Sequence, residues 1–251
     1  MRLSVRSVFL FVLLCSMAAW FVGCAGSKPA VQPDAAAPDA VPVPDSLRVK
    51  MAVTLVDENG KEQNLDAVLF SVPGMRYRME FTGPMGIGVA SMLWTEEGWT
   101  MVFPTEKLYM AGRGYMVGLF NSPSIPTVNI HQVAGFFDGV YVPAGMETLA
   151  RRDSAGVELV DAKDPMGLHF TYAKQDSSVL WISRQGPDGK PEVVKFLDYR
   201  EFEGRPLASR IVVERGGTKY LEMRVKKVTH GKPFSLGVWR LKVPQSYKKV
   251  G

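Results

Sequence analysis

Leu47-Arg48-Val49-Lys50-Met51-Ala52-Val53-Thr54-Leu55 alternates large apolar side chains with polar or small ones, and Asn59-Gly60 follows it. A strand sends successive side chains to opposite faces, so a period of two predicts a strand with one face on a core; Asn-Gly suits the turn that sends the chain back. The pattern recurs. Tyr77, Met79 and Phe81 stand against Arg76, Arg78 and Glu80, and Trp99, Met101 and Phe103 repeat the arrangement after Gly98. In the second half the same reading applies to Leu168, Phe170 and Tyr172, to Leu180 and Ile182, to Ile211 and Val213, and to Leu221, Met223 and Val225. Pro187-Asp188-Gly189 and Gly216-Gly217 punctuate these runs as turns. About eleven or twelve strand candidates with short links predict a mainly β (α+β) fold built on a single large curved antiparallel sheet.

The alternation stops in the middle of the chain, around Gly114 to Asn121 and from Val128 to Gly139. Ile130, Val133, Ala134 and Phe137 fall at helical spacing there, with Pro123 and Pro126 separating two pieces. A helical insert this apolar needs a surface to cover, and the concave face of the sheet is the large one available. The expectation is an incomplete, unclosed β-barrel with a helical plug.

The N-terminus carries a different signal. Arg2 and Arg6 precede an apolar stretch from Val8 to Val22, which ends in Phe21-Val22-Gly23-Cys24. That layout is a secretory signal rather than a membrane span, which would need about 20 apolar residues. The end of the stretch resembles the lipobox of bacterial lipoproteins, with Phe21 in place of the usual Leu. The resemblance implies a signal peptide at 1–23, lipid attachment on Cys24, and, since Ala25 is not the Asp of inner-membrane retention, an outer-membrane anchor facing the periplasm. Cys15 leaves with the signal, so the mature chain has no free thiol for disulfide or redox chemistry. Residues 24–45 form a tether in which Pro29, Pro33, Pro38, Pro42 and Pro44 block both helix and strand. At about 3.1 Å per residue its reach is roughly 60 Å. The folded domain is expected at 46–251.

Four consecutive features resemble the LolB family of outer-membrane lipoprotein receptors, within the wider LolA/LolB-like superfamily. They are Met75-Arg76-Tyr77-Arg78-Met79-Glu80-Phe81-Thr82; the turn Gly83-Pro84-Met85-Gly86 before a strand at Gly88 to Trp94; the Ser124-Ile125-Pro126 break before Ile130-His131-Gln132-Val133 and Phe136-Phe137-Asp138-Gly139; and the closing strands with Asp198-Tyr199 and Arg205-Pro206-Leu207. The resemblance implies a receptor that takes acylated lipoprotein cargo from a LolA-like periplasmic carrier and inserts it into outer-membrane lipid. It implies that Met85, standing where the family has Leu, enters the lipid, with Pro84 and Gly86 shaping the turn and Ile87 adding to the apolar tip. Burying one exposed Met in an apolar phase contributes about 1.5–3 kcal/mol, which suits transient contact. It further implies an apolar acyl-chain cavity, for which the inward residues Tyr77, Met79, Phe81, Met92, Trp94, Trp99, Met101 and Phe103, with Phe136 or Phe137 from the plug, are the candidates. Methionine's flexible side chain fits a surface that adapts to acyl chains.

Enzymatic readings find little support. His131, His169 and His230 lack metal-ligand spacing, and no serine elbow, phosphate-binding loop or dinucleotide fingerprint occurs. No catalytic residue, metal or cofactor is expected, and the protein is read as a monomer without enzymatic activity. The net charge of +5 is too small to argue for nucleic acid but compatible with an acidic carrier or anionic headgroups. The alternative reading is an envelope sensor or structural lipoprotein that binds a lipid or partner on the same fold without inserting anything.

Overall fold

The computed structural model describes residues 46–57, 59–117, 128–186 and 189–250, and the expected signal segment, Cys24 and tether lie outside them. The first meander runs through β1 (Leu47–Val56), β2 (Glu62–Val72), β3 (Arg76–Thr82), β4 (Gly88–Thr95), β5 (Gly98–Phe103) and β6 (Leu108–Gly112), each strand antiparallel to the one before it. Between the meanders lie the short pair β7 (Met116–Val117) and β8 (Val128–Asn129) and the helix α1 (Ile130–Phe136). The second meander comprises β9 (Glu147–Ser154), β10 (Val157–Lys163), β11 (His169–Gln175), β12 (Ser178–Gln185), β13 (Pro191–Phe202), β14 (Arg205–Arg215) and β15 (Thr218–His230). Pairing of β1 with β15 joins the two into one 14-stranded sheet, whose far edge is completed by β16 (Lys248–Lys249) lying parallel to β6. The sheet does not close: β9 stands at one end of the order and β16 at the other.

The alternation in β1 reads directly as burial. Leu47, Val49, Met51, Val53 and Leu55 are all buried, while the residues between them are partly or fully exposed. Their neighbours Leu69, Met79, Met92 and Met101 continue the same face across β2 to β5, and Ile211, Leu221 and Met223 continue it across β14 and β15. Two expectations fail, each for a local reason. Leu168 lies in the turn before β11, about half exposed, because Asp164 Oδ1 accepts the backbone N–H groups of Met166 and Leu168 and holds the chain in a tight bend. Leu180 does not share the inward face with Ile182; the β11–β12 register shifts between Ala173 and Lys174, so Val179 is buried in its place.

The middle segment also differs from two helices. Met116–Val117 is extended and paired with β8, and residues 118–121 of the first expected helical piece lie outside the described ones. The second piece is the seven-residue α1. Asn129 caps it, its Oδ1 accepting from His131 N at 3.0 Å and Gln132 N at 3.3 Å. Gly139, at φ +81°, lets the chain turn away at the other end, where Val140 N donates to Gly135 O. Ile130, Ala134, Phe136 and Phe137 are buried against the sheet, and the Phe136 ring meets Phe196 edge-on at 5.0 Å.

The C-terminal segment crosses the outer face of the first meander. Ser46 Oγ donates to Lys232 O, Phe234 meets Phe70 edge-on, Arg76 lies 4.5 Å over the Trp239 ring, and Arg78 donates to Arg240 O. This strap covers the apolar and cationic side chains that alternation turned away from the core.

Candidate functional site

The turn between β3 and β4 is held by Gly83 N donating to Ile87 O at 2.8 Å and Gly86 N donating to Gly83 O at 3.3 Å. Closing it places Met85 (φ 60°, ψ 16°) and Gly86 (φ 77°) in the left-handed region. Glycine does this freely, whereas for Met the conformation costs about 1–2 kcal/mol. Pro84 fixes the preceding φ and carries no N–H that the turn would need. The result is a Met85 side chain that is 93% exposed, with Ile87 half exposed beside it.

Tyr77, Met79, Phe81, Met92, Trp94, Met101, Phe103, Phe136 and Phe137 are all buried in the hydrophobic core, and Trp99 is partly buried against it. A partly open cavity lies between α1 and β11–β15. It has a volume of about 80 Å³, with Val133, Phe136, Phe170, Ile182, Val213 and Met223 among its apolar lining and Asn129, Gln132 and Ser183 among its polar lining. By the same measure one water needs about 10–15 Å³, so the space holds several. Of the acyl-chain candidates, Phe136 lines it.

One wall of this cavity is polar. Arg184 and Glu192 face each other across β12 and β13 and both line it; Arg184 Nε donates to Glu192 Oε2 at 2.8 Å. Tyr220 stands on the same wall, and burial, then the Glu192 charge, raise its phenol above the usual pKa.

The helix is tied to the first meander by a residue that its spacing in the sequence did not single out. His131 Nδ1 lies 2.9 Å from Tyr77 Oη, and its ring sits edge-on to Trp94 at 4.7 Å and Tyr77 at 5.2 Å. Tyr77 Oη already accepts from Gly74 N, so its hydrogen is free for the imidazole, which then accepts as a neutral ring. Trp94 Nε1 donates to Gly114 O, fixing the nest from the other side. Among the described residues no group of three or more His, Cys, Asp or Glu side chains is arranged to hold a metal ion.

No family model and no curated protein matches the chain. Solved structures do. A LolA superfamily protein from Nitrosomonas europaea superposes with a TM-score of 0.56 at 10% identity, over 79% of this chain and 91% of that one. A domain from Vibrio parahaemolyticus named for outer-membrane lipoprotein sorting gives a TM-score of 0.53 at 9% identity, over 78% and 89%. A DUF1329 family protein from Desulfovibrio piger gives 0.55 at 10% identity, over 78% and 90%. The fold is LolA-superfamily-like. At such identities the likeness is one of architecture, and it does not single out LolB within the superfamily.

Proposed function

We propose that the protein is an outer-membrane lipoprotein receptor of LolB type, anchored through Cys24 on the periplasmic side. In this reading it accepts acylated lipoproteins from a LolA-like carrier, shelters their acyl chains beneath α1 and releases them into the membrane without enzymatic chemistry. The observation that carries the proposal is Met85. A large apolar side chain on a strained turn, 93% exposed, gains nothing from the fold it belongs to. Immersion in lipid would return about 1.5–3 kcal/mol, enough to favour contact and too little to trap the protein there. Handover from carrier to receptor needs no energy source, since cargo bound more tightly by the receptor moves downhill.

The test is a transfer assay from loaded carrier to the purified domain and on to vesicles. Met85→Glu is expected to accept cargo normally and to lose delivery to vesicles by about tenfold or more, the order implied by the burial energy of one Met. Unchanged delivery would return the turn to a purely architectural role.

A second reading has its own support: the small cavity suits a sensor that binds one lipid or partner without inserting cargo. Depletion separates the two. Lipoproteins stranded in the periplasm mark the receptor; normal delivery to the outer membrane marks the sensor.

A further inference from the structure

The formal charge of the chain is concentrated in one segment. Residues 231–251 contain five basic residues (Lys232, Arg240, Lys242, Lys248 and Lys249) and no Asp or Glu, which equals the chain's whole excess of +5. Residues 46–230 carry 22 basic and 22 acidic side chains. The cationic segment is the strap over the outer face of the first meander. A patch of one sign on an otherwise balanced surface attracts partners of the opposite sign.

The strap is pinned on both sides of a cleft. Upstream, Arg76 lies 4.5 Å over the Trp239 ring and Arg78 Nη1 donates to Arg240 O at 3.2 Å. Downstream, Tyr247 Oη donates to Pro104 O at 3.4 Å, Lys248 N to Lys107 O at 3.0 Å and Val250 N to Tyr109 O at 2.9 Å. Between these points the strap and β3–β5 border an open cleft of about 370 Å³. The strands contribute Arg78, Ser91 and Val102 to it. Val102 alternates with the core residues Met101 and Phe103, so it faces the strap. Arg78 and Ser91 Oγ both donate to the Glu80 carboxylate, which leaves this floor close to neutral. The strap contributes Arg240 and Lys242, both exposed and, among the described residues, in no salt bridge. Pro104, Leu241, Pro244 and Tyr247 complete the lining with largely apolar surface.

Two free cations beside an apolar rim suit a phosphodiester. Its oxygens can accept from the planar guanidinium fork and from the ammonium together, while the carbons next to the phosphate lie on proline and leucine. Where the cleft sits favours a lipid as the source of that group. Successive turns of an antiparallel meander alternate between its two ends, so the β5–β6 turn that holds the strap shares an end with the β3–β4 turn that carries Met85. A bilayer that takes up the Met85 side chain brings its headgroups to that end of the sheet.

We infer that the cleft between the strap and β3–β5 binds the phosphodiester headgroup of an anionic phospholipid, with Arg240 and Lys242 holding the phosphate. The choice of a membrane lipid rests on the reading of Met85 as a lipid contact; the anion site itself rests on the cleft and its charges.

Residues 46–251 contain every described strand and α1, and flotation of this segment with vesicles provides the test. One set of vesicles is phosphatidylcholine alone, whose choline brings a cation of its own; the other is phosphatidylcholine and phosphatidylglycerol in equal parts. The wild type is expected to bind the anionic vesicles about tenfold or more tightly, the order set by two cations at a charged surface. Arg240→Gln/Lys242→Gln, two exposed positions whose change spares the fold, is expected to lose most of that preference. Arg240→Lys keeps the charge but not the fork, and is expected to weaken anionic binding several-fold. Met85→Ser is expected to weaken binding to both vesicles and to leave their ratio unchanged. Equal wild-type affinities for the two vesicles overturn the headgroup site, and a Met85→Ser variant that still weakens both then leaves the Met85 reading standing. Arg240→Lys indistinguishable from wild type means diffuse attraction without a site, and overturns the inference as well. So does a double variant that binds both vesicles normally but no longer captures a LolA-like carrier, which assigns the strap to an acidic protein. Binding of neither vesicle by the wild type overturns both readings.

Discussion

Burial holds the His131 imidazole below its ordinary pKa of 6.5. Among the described residues the groups facing it are Tyr77 from β3, Trp94 from β4 and Tyr115 from the segment after β6, all aromatic. The sign of the pH effect follows from linkage. The unfolded chain takes up a proton on this residue at a higher pH than the folded one, so the contribution is complete above about pH 6.5 and is lost as the pH falls below it. The stability difference between wild type and His131→Gln is therefore expected to shrink on going from pH 7 to pH 5, as read by urea denaturation; a constant difference would mean that the ring does not titrate with folding. At this scale the sequence was informative only where chemistry and pattern conflicted. Met85, an apolar residue in a turn of Gly83, Pro84 and Gly86, stood out there. A lone histidine on an apolar helix breaks no pattern, so the His131–Tyr77 contact could not be read from spacing.

Helix α1 is short for an element that roofs a cavity. Seven residues make a marginal helix in isolation, so its order depends on the Asn129 cap and on Phe136 and Phe137 beneath it. Asn129→Ala is expected to cost about 1 kcal/mol in denaturation, and to speed hydrogen exchange at the His131 and Gln132 amides, which lose their acceptor. Protection left unchanged at those two amides would mean that packing alone holds the first turn. Strands proved more legible than this segment. Alternation places β1 and β3 correctly because each has one buried face, whereas Leu168 and Leu180 were misplaced by an Asp-capped turn and a bulge, features that act through the backbone. The strap over the outer face was illegible for a related reason: its contacts to Phe70, Arg76 and Arg78 join residues far apart in sequence, and no periodicity records them.

An unclosed sheet has edges that must be kept from pairing with other chains. On one side β16 covers β6. On the other, every residue of β9 is exposed, and the strand carries Arg151 and Arg152, paired to Glu158 and Asp161 of β10 at 2.9 Å each. Adjacent residues in a strand point to opposite faces, so these two arginines guard both sides of the edge. Replacing both, Arg151→Val with Arg152→Val, is expected to produce concentration-dependent self-association in sedimentation velocity; a variant that stays monomeric at high concentration would show that the edge is protected by something else. The overall architecture was legible because counting amphipathic strands suffices to predict a large curved sheet, but hollow and filled regions were not, since inward residues look alike whether or not they meet a partner.

The pairing of β1 with β15 sets the order in which the molecule can be made. Each meander is built from hairpins between neighbours in sequence and can zip up as it emerges from the ribosome or a translocation channel, but the earliest strand has no mate on its second edge until the last long one arrives. During that interval β1 presents a bare, apolar flank, and a chain that stalls or is cut before residue 218 is left as two unjoined halves.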